Sequence, residues 1–149
     1  MNKMLLMILA FSGGVFLAAQ SALNTHLGVL LKKPILATLA TSISGTIFTS
    51  IIILLGAKTI PNLITIKQVP WYLWFLGGLF SVIGVSIYFY SIPKLGIFKM
   101  LSLGLCGQLI LSIIAGHFGW LSLPIDPITV KKIIGIISLI AGILLINLK

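Results

Sequence analysis

The sequence has no arginine, one acidic residue and one cysteine among 149 residues, and only 7% of it is charged. Each shortage excludes something. Soluble domains carry about 25% charged residues, so a water-soluble globular fold is excluded. The net charge of +9 comes from ten lysines alone, scattered between apolar runs at positions 3, 32, 33, 58, 67, 94, 99, 131, 132 and 149. Without arginine or a dense basic cluster there is no phosphate-tracking face, so nucleic acid is not a partner. The sole acid, Asp126, lies between Pro124 and Pro127, which excludes paired carboxylates. It also leaves no carboxylate inside a span to exchange a proton for cargo. The single thiol, Cys106, sits in an apolar run, forms no internal disulfide and reads as structural. His26 and His117 fall on separate segments without partners at ligand spacing, so no metal or other cofactor is expected. Neither a Ser/His/Asp arrangement nor a phosphate-cradling glycine loop is present, and the chain does not read as an enzyme.

What is present is apolar: 59% hydrophobic residues and a mean hydropathy of +1.25. About 20 apolar residues cross the hydrocarbon core as a helix. We read an all-α integral membrane protein, one transmembrane domain over residues 1–149, with five spans at about 4–25, 35–56, 71–92, 96–116 and 133–148. The six prolines fall at or between these limits, where a missing backbone N–H costs least. Lys3 and the small residues Ala19 and Ser21 imitate a signal peptide, but the first run exceeds the usual 7–15 apolar residues and is kept as a span.

The first span organises the rest. Gly13, Phe16, Gln20 and Asn24 share one helix face, and the two amides stand one turn apart. An amide within a span is costly unless it is bonded, so this stripe should face protein, solute or water. In the second span Ala37, Thr41, Gly45 and Thr49 make a small-residue ridge suited to helix packing. The link 57–69 reads as an exposed loop, and Trp71, Tyr72 and Trp74 then form an interfacial aromatic belt. Gly77, Ser81, Gly84 and Tyr88 follow on one face, either a groove or a packing seam. The fourth span carries Gly104, Gln108, Ser112 and Gly116 on a narrow polar face, with Lys99 placed to snorkel. The segment from His117 to Thr129 is irregular and is expected at the membrane interface.

With five spans, Lys3, Lys58, Lys67, Lys131 and Lys132 lie on one side of the membrane and the other five lysines on the opposite side. That balance removes the bias that sets orientation. Two copies inserted in opposite directions would reproduce the inverted repeat of many transporters, with a site at the midplane. The expected arrangement is therefore an antiparallel homodimer.

The chain also resembles a known family, the YdcZ-type, five-helix branch of the drug/metabolite transporter superfamily. The resemblance rests on Gly14, Gln20, Asn24, Leu27, Gly28, Pro34, Ala37 and Gly45, then Trp74, Gly77, Gly78 and Gly84. Pro93, Leu95, Gly96, Gly107, Gln108, His117, Phe118, Gly119, Trp120, Gly135 and Gly142 complete the pattern. It implies half of a ten-helix inverted-repeat transporter, resident in the bacterial inner membrane and acting as an exporter. The family pattern often has an acid before the histidine and an arginine before the last span. Gly116 and two lysines stand there, a departure that weakens a charged coupling role for that loop.

The expected function is secondary export of a small polar or organic-cation solute, bound by Gln20, Asn24, Trp74, Ser81, Tyr88 and Gln108. Its partners are the bilayer, the solute and a second copy. The alternatives are a dimeric passive channel, separable by unsaturable flux in liposomes, and a non-transporting membrane subunit whose amides only lock helices together.

Overall fold

A helix needs a start, an uninterrupted run and a stop, and the first run has all three. In a computed structural model that describes residues 2–56 and 61–147, the Asn2 side chain opens α1, accepting from the Met4 N–H at 3.2 Å. The helix then continues through Lys3–Leu30, five residues past the expected end at Thr25. The dip in hydropathy at Asn24–His26 contains no breaker, so the backbone ladder carries on through it. The stop is a tight turn at Lys32, whose φ is +55°. Lys33 N–H donates to Gly28 O at 3.1 Å and Lys32 N–H to Val29 O at 3.0 Å, the paired bonds that satisfy the last carbonyls of a helix. Glycine usually fills the left-handed position of this motif; here a lysine does, next to the negative end of the helix dipole.

Pro34 begins α2, Pro34–Gly56, at the position where a missing N–H is harmless. A short helix α3, Leu63–Gln68, lies in the link expected to be a plain loop; Lys58, in the same link, falls outside the described residues. Pro70 precedes α4, Trp71–Leu95. This helix runs past the expected end at Ile92 and takes Pro93 inside it, contrary to the expectation that every proline falls at or between span ends. Pro93 has no N–H to give the carbonyl of Phe89, but the helix ends two residues later at Leu95, so no further helix has to continue past the distortion. Gly96, with φ +84°, separates α4 from α5, Ile97–His117, in a single residue. A 3-10 turn at Trp120–Ser122 and a longer connection lead to α6, Val130–Asn147, whose first turn is capped by Thr129 Oγ1 accepting from Lys132 N–H at 3.4 Å.

Among the described residues four helices, α1, α2, α4 and α5, are long and apolar enough to cross a membrane. The segment expected as a fifth span is α6, a helix of 18 residues that is not among those four. Six α-helices are formed among the described residues, against the five expected.

The chain divides into two compact units, residues 1–94 and 95–149. In the first, α1 packs against α2, and every buried residue lies towards one end. Thr25 and Gly28 come from the last turns of α1, Ala37 and Thr38 from the first turns of α2, and Phe89 and Ile92 from the last turns of α4. A side chain at Gly28 would meet Pro34 Cα at 3.3 Å and Ala37 Cβ at 3.4 Å, so only glycine allows this approach without displacing backbone. Thr38 Oγ1 and Ser86 Oγ, 2.9 Å apart, tie α2 to α4. Lipid is as apolar as leucine, so close packing and interhelical hydrogen bonds hold such helices, and both are concentrated here. In the second unit α5 packs against α6, and no described residue is fully buried.

Candidate functional site

The polar residues of the first unit fall into two groups. Most hydroxyls bond back to their own helix: Ser12 to Ile8 O, Ser21 to Leu17 O, Thr41 to Ala37 O, Ser42 to Thr38 O and Thr46 to Ser42 O, at 2.8–3.0 Å. This internal bonding uses the single donor of each hydroxyl and leaves only its acceptor capacity for a solute. It accounts for most of the hydroxyl richness of α2; of the ridge expected there, Ala37 is buried and Thr41 half-buried, while Gly45 and Thr49 are exposed. Gln20 and Asn24 differ. Both are half-buried on one face of α1, a turn apart, and both carry amides able to donate and accept.

Thr25, beside Asn24, was not singled out by the sequence. It is 6% exposed, and its Oγ1 has no hydrogen-bond partner among the described residues. Seven of the other span hydroxyls in this unit bond back to a carbonyl three or four residues earlier; Thr25 does not. Its spacing from Ser21 and Gly28, at i−4 and i+3, puts it on the face that closes against α2, and that spacing could have revealed it.

On α4 the expected site residues separate along the helix. Tyr88 is half-buried, within the stretch Ser86–Ile92 that packs tightly. Ser81 and Trp74 lie earlier, on a length of α4 that the unit leaves exposed; Trp74 is 56% exposed. Gln20, Asn24 and Tyr88 are thus the half-buried members in this unit. Gln108 stands exposed on α5 in the second unit. Near the end of α4 the Lys94 ammonium sits 3.5 Å above the Tyr90 ring, a cation–π contact at an exposed tyrosine.

The second unit holds the charged groups at its loop. Asp126 forms an ion pair with Lys132, whose Nζ also donates to Pro127 O at 2.7 Å. Asp126 N–H donates to Gly116 O at 2.8 Å, and Ile128 N–H donates to His117 Nδ1 at 3.4 Å. The only acid of the chain is therefore spent on the connection between α5 and α6. No group of three His, Cys, Asp or Glu side chains able to hold a metal occurs among the described residues. The half-buried amides and rings of the spans can offer directional hydrogen bonds and π faces, without a carboxylate beside them.

No curated protein and no solved structure matches the chain. A family model does match, over residues 5–145, that is, from the first turn of α1 to the last turns of α6. Its description is "Putative inner membrane exporter, YdcZ", and the chain belongs to this YdcZ-type family of membrane proteins.

Proposed function

We propose that the protein is a secondary transporter that exports a small polar or organic-cation solute across the inner membrane, bound in the first unit by Gln20 and Asn24 with Tyr88 as a stacking surface. The observation that carries this reading is the pair of half-buried amides on one face of α1, beside a Ser21 hydroxyl that bonds back to Leu17 O and a buried Thr25 hydroxyl without a partner among the described residues. An amide inside a span marks a pathway or a packing contact by default. Both amides stay half-buried where α1 meets its packed end, and that partial access favours the pathway.

The protein works as an antiparallel homodimer of five-span chains, with α6 as the fifth span. The balanced lysines support this reading, since neither side of the membrane gains the cationic excess that fixes orientation. Trp74 and Ser81, exposed along α4, then face the solute path or the second copy.

The test is thermal stability of wild type and Gln20→Leu against metabolites and quaternary amines. A solute that raises the melting temperature of wild type and leaves Gln20→Leu unmoved supports the site. Equal stabilisation of both removes Gln20 from it.

A further inference from the structure

The connection between α5 and α6 pairs a polar base with an apolar tip. Its base is tied at three points: Asp126 N–H to Gly116 O, Ile128 N–H to His117 Nδ1, and the Asp126–Lys132 ion pair. Between these ties the backbone turns through left-handed conformations at Gly119, Leu121 and Ser122, with φ of +58°, +55° and +61°. The turns project side chains outward. Phe118 is 76% exposed and Ile125 72%, and Trp120, Leu121 and Leu123 are exposed beside them. A fixed loop presenting five large apolar side chains is an apolar patch that calls for cover.

We propose that this tip is a membrane hook, seated in the headgroup and upper acyl region of a leaflet containing anionic lipid. Three observations favour the bilayer as occupant. The loop leaves the end of α5, a helix of spanning length and hydropathy, so it starts at the membrane surface. Its base keeps the end of α5 beside the start of α6, which holds the tip close to that surface. The charges also match: Asp126 is neutralised by Lys132, leaving the exposed Lys131 as the uncompensated cation next to the tip, facing lipid phosphates. Depth follows from the backbone. Irregular structure with free N–H and C=O groups is not tolerated in lipid-exposed hydrocarbon, so the hook stops at the boundary layer, about 5–10 Å into it. An aromatic such as Trp120 favours that level.

The experiment uses the full chain in vesicles of mixed neutral and anionic lipids. Trp71→Phe with Trp74→Phe leaves Trp120 as the sole tryptophan of three. Its emission should be blue-shifted, lose most of its intensity to bromines placed near the headgroup end of the acyl chains, and respond little to aqueous acrylamide. Quenching by acrylamide without quenching by brominated lipid overturns the proposal. Protection from both also overturns it, and points to a protein partner on the tip. If the double variant does not fold, Ile125→Cys carrying an environment-sensitive dye, in a Cys106→Ala background, gives the same readout. Lys131→Gln should weaken the dependence of the signal on anionic lipid; an unchanged dependence overturns the role of charge.

Discussion

The two units of this chain are held by opposite means. In the first, the closed end is made of small contacts: a glycine against a proline backbone, an alanine, and one hydroxyl pair between α2 and α4. In the second, no described residue is fully buried, and the order sits in a polar clasp at the surface, around Asp126 and His117. The difference follows the solvent. Within the bilayer apolar burial gives no advantage over lipid, so helices are secured by closeness and by hydroxyl bonds. At the membrane edge water is available, and a loop can be fixed by charge and backbone bonds.

Three substitutions test that contrast. Gly28→Leu should have the largest effect, because the new side chain meets Pro34 backbone at 3.3 Å and that backbone cannot rotate away. We expect a loss of about 3 kcal/mol, the upper end for overpacking, read as a lowered midpoint of unfolding in detergent. Amide exchange should rise around residues 25–41 and stay slow at Asp126 and Ile128. Faster exchange at all of these sites would break the comparison, since the clasp would then depend on the first unit. Gly119→Ala should do the reverse at lower cost. Its φ of +58° disfavours a side chain, and the new Cβ meets Ile125 Cγ1 at 2.8 Å, a flexible neighbour that can yield. A penalty of about 1–2 kcal/mol, confined to exchange at residues 116–128, is expected. Thr38→Val should have the smallest effect, about 0.6 kcal/mol, the average for an interhelical hydrogen bond in a membrane. A loss several times larger would mean that the Thr38–Ser86 bond, rather than close packing, holds α4 in place.

Much of the fold could be read from the sequence, for a simple reason. Span length and hydropathy are local properties, and the bilayer makes them decisive, so α1, α2, α4 and α5 were expected close to where they occur. The ends were harder. Asn24, Thr25 and His26 lower hydropathy without breaking a helix, so α1 outran its expected end, and Pro93 was absorbed because only the last turn was at stake. Turn geometry was least legible. Lys32, Leu121 and Ser122 hold left-handed backbone without being glycine, and their positions are set by bonds to residues elsewhere in the turn. Of the site, the pairing of Gln20 with Asn24 follows from helical spacing alone. Spacing also puts Thr25 on the face of Gly28, but that its hydroxyl is left without a partner among the described residues shows only in the fold. Trp74 and Ser81 share a helix with Tyr88, yet periodicity says nothing of how far along a helix its packing extends.

The turn at Lys32 also bears on the order in which the protein assembles. Gly28 and Ala37 meet across one short reversal, so closing α1 on α2 costs little chain entropy and needs nothing made later in synthesis. The first two helices can therefore enter the bilayer as a finished hairpin, with its lysines at the bend. Such a hairpin would give α4 a template to dock on when it emerges, and the Thr38 hydroxyl would be waiting for Ser86. A defect in a variant altered in this bend would then begin as a fault of biogenesis, before the finished fold was reached.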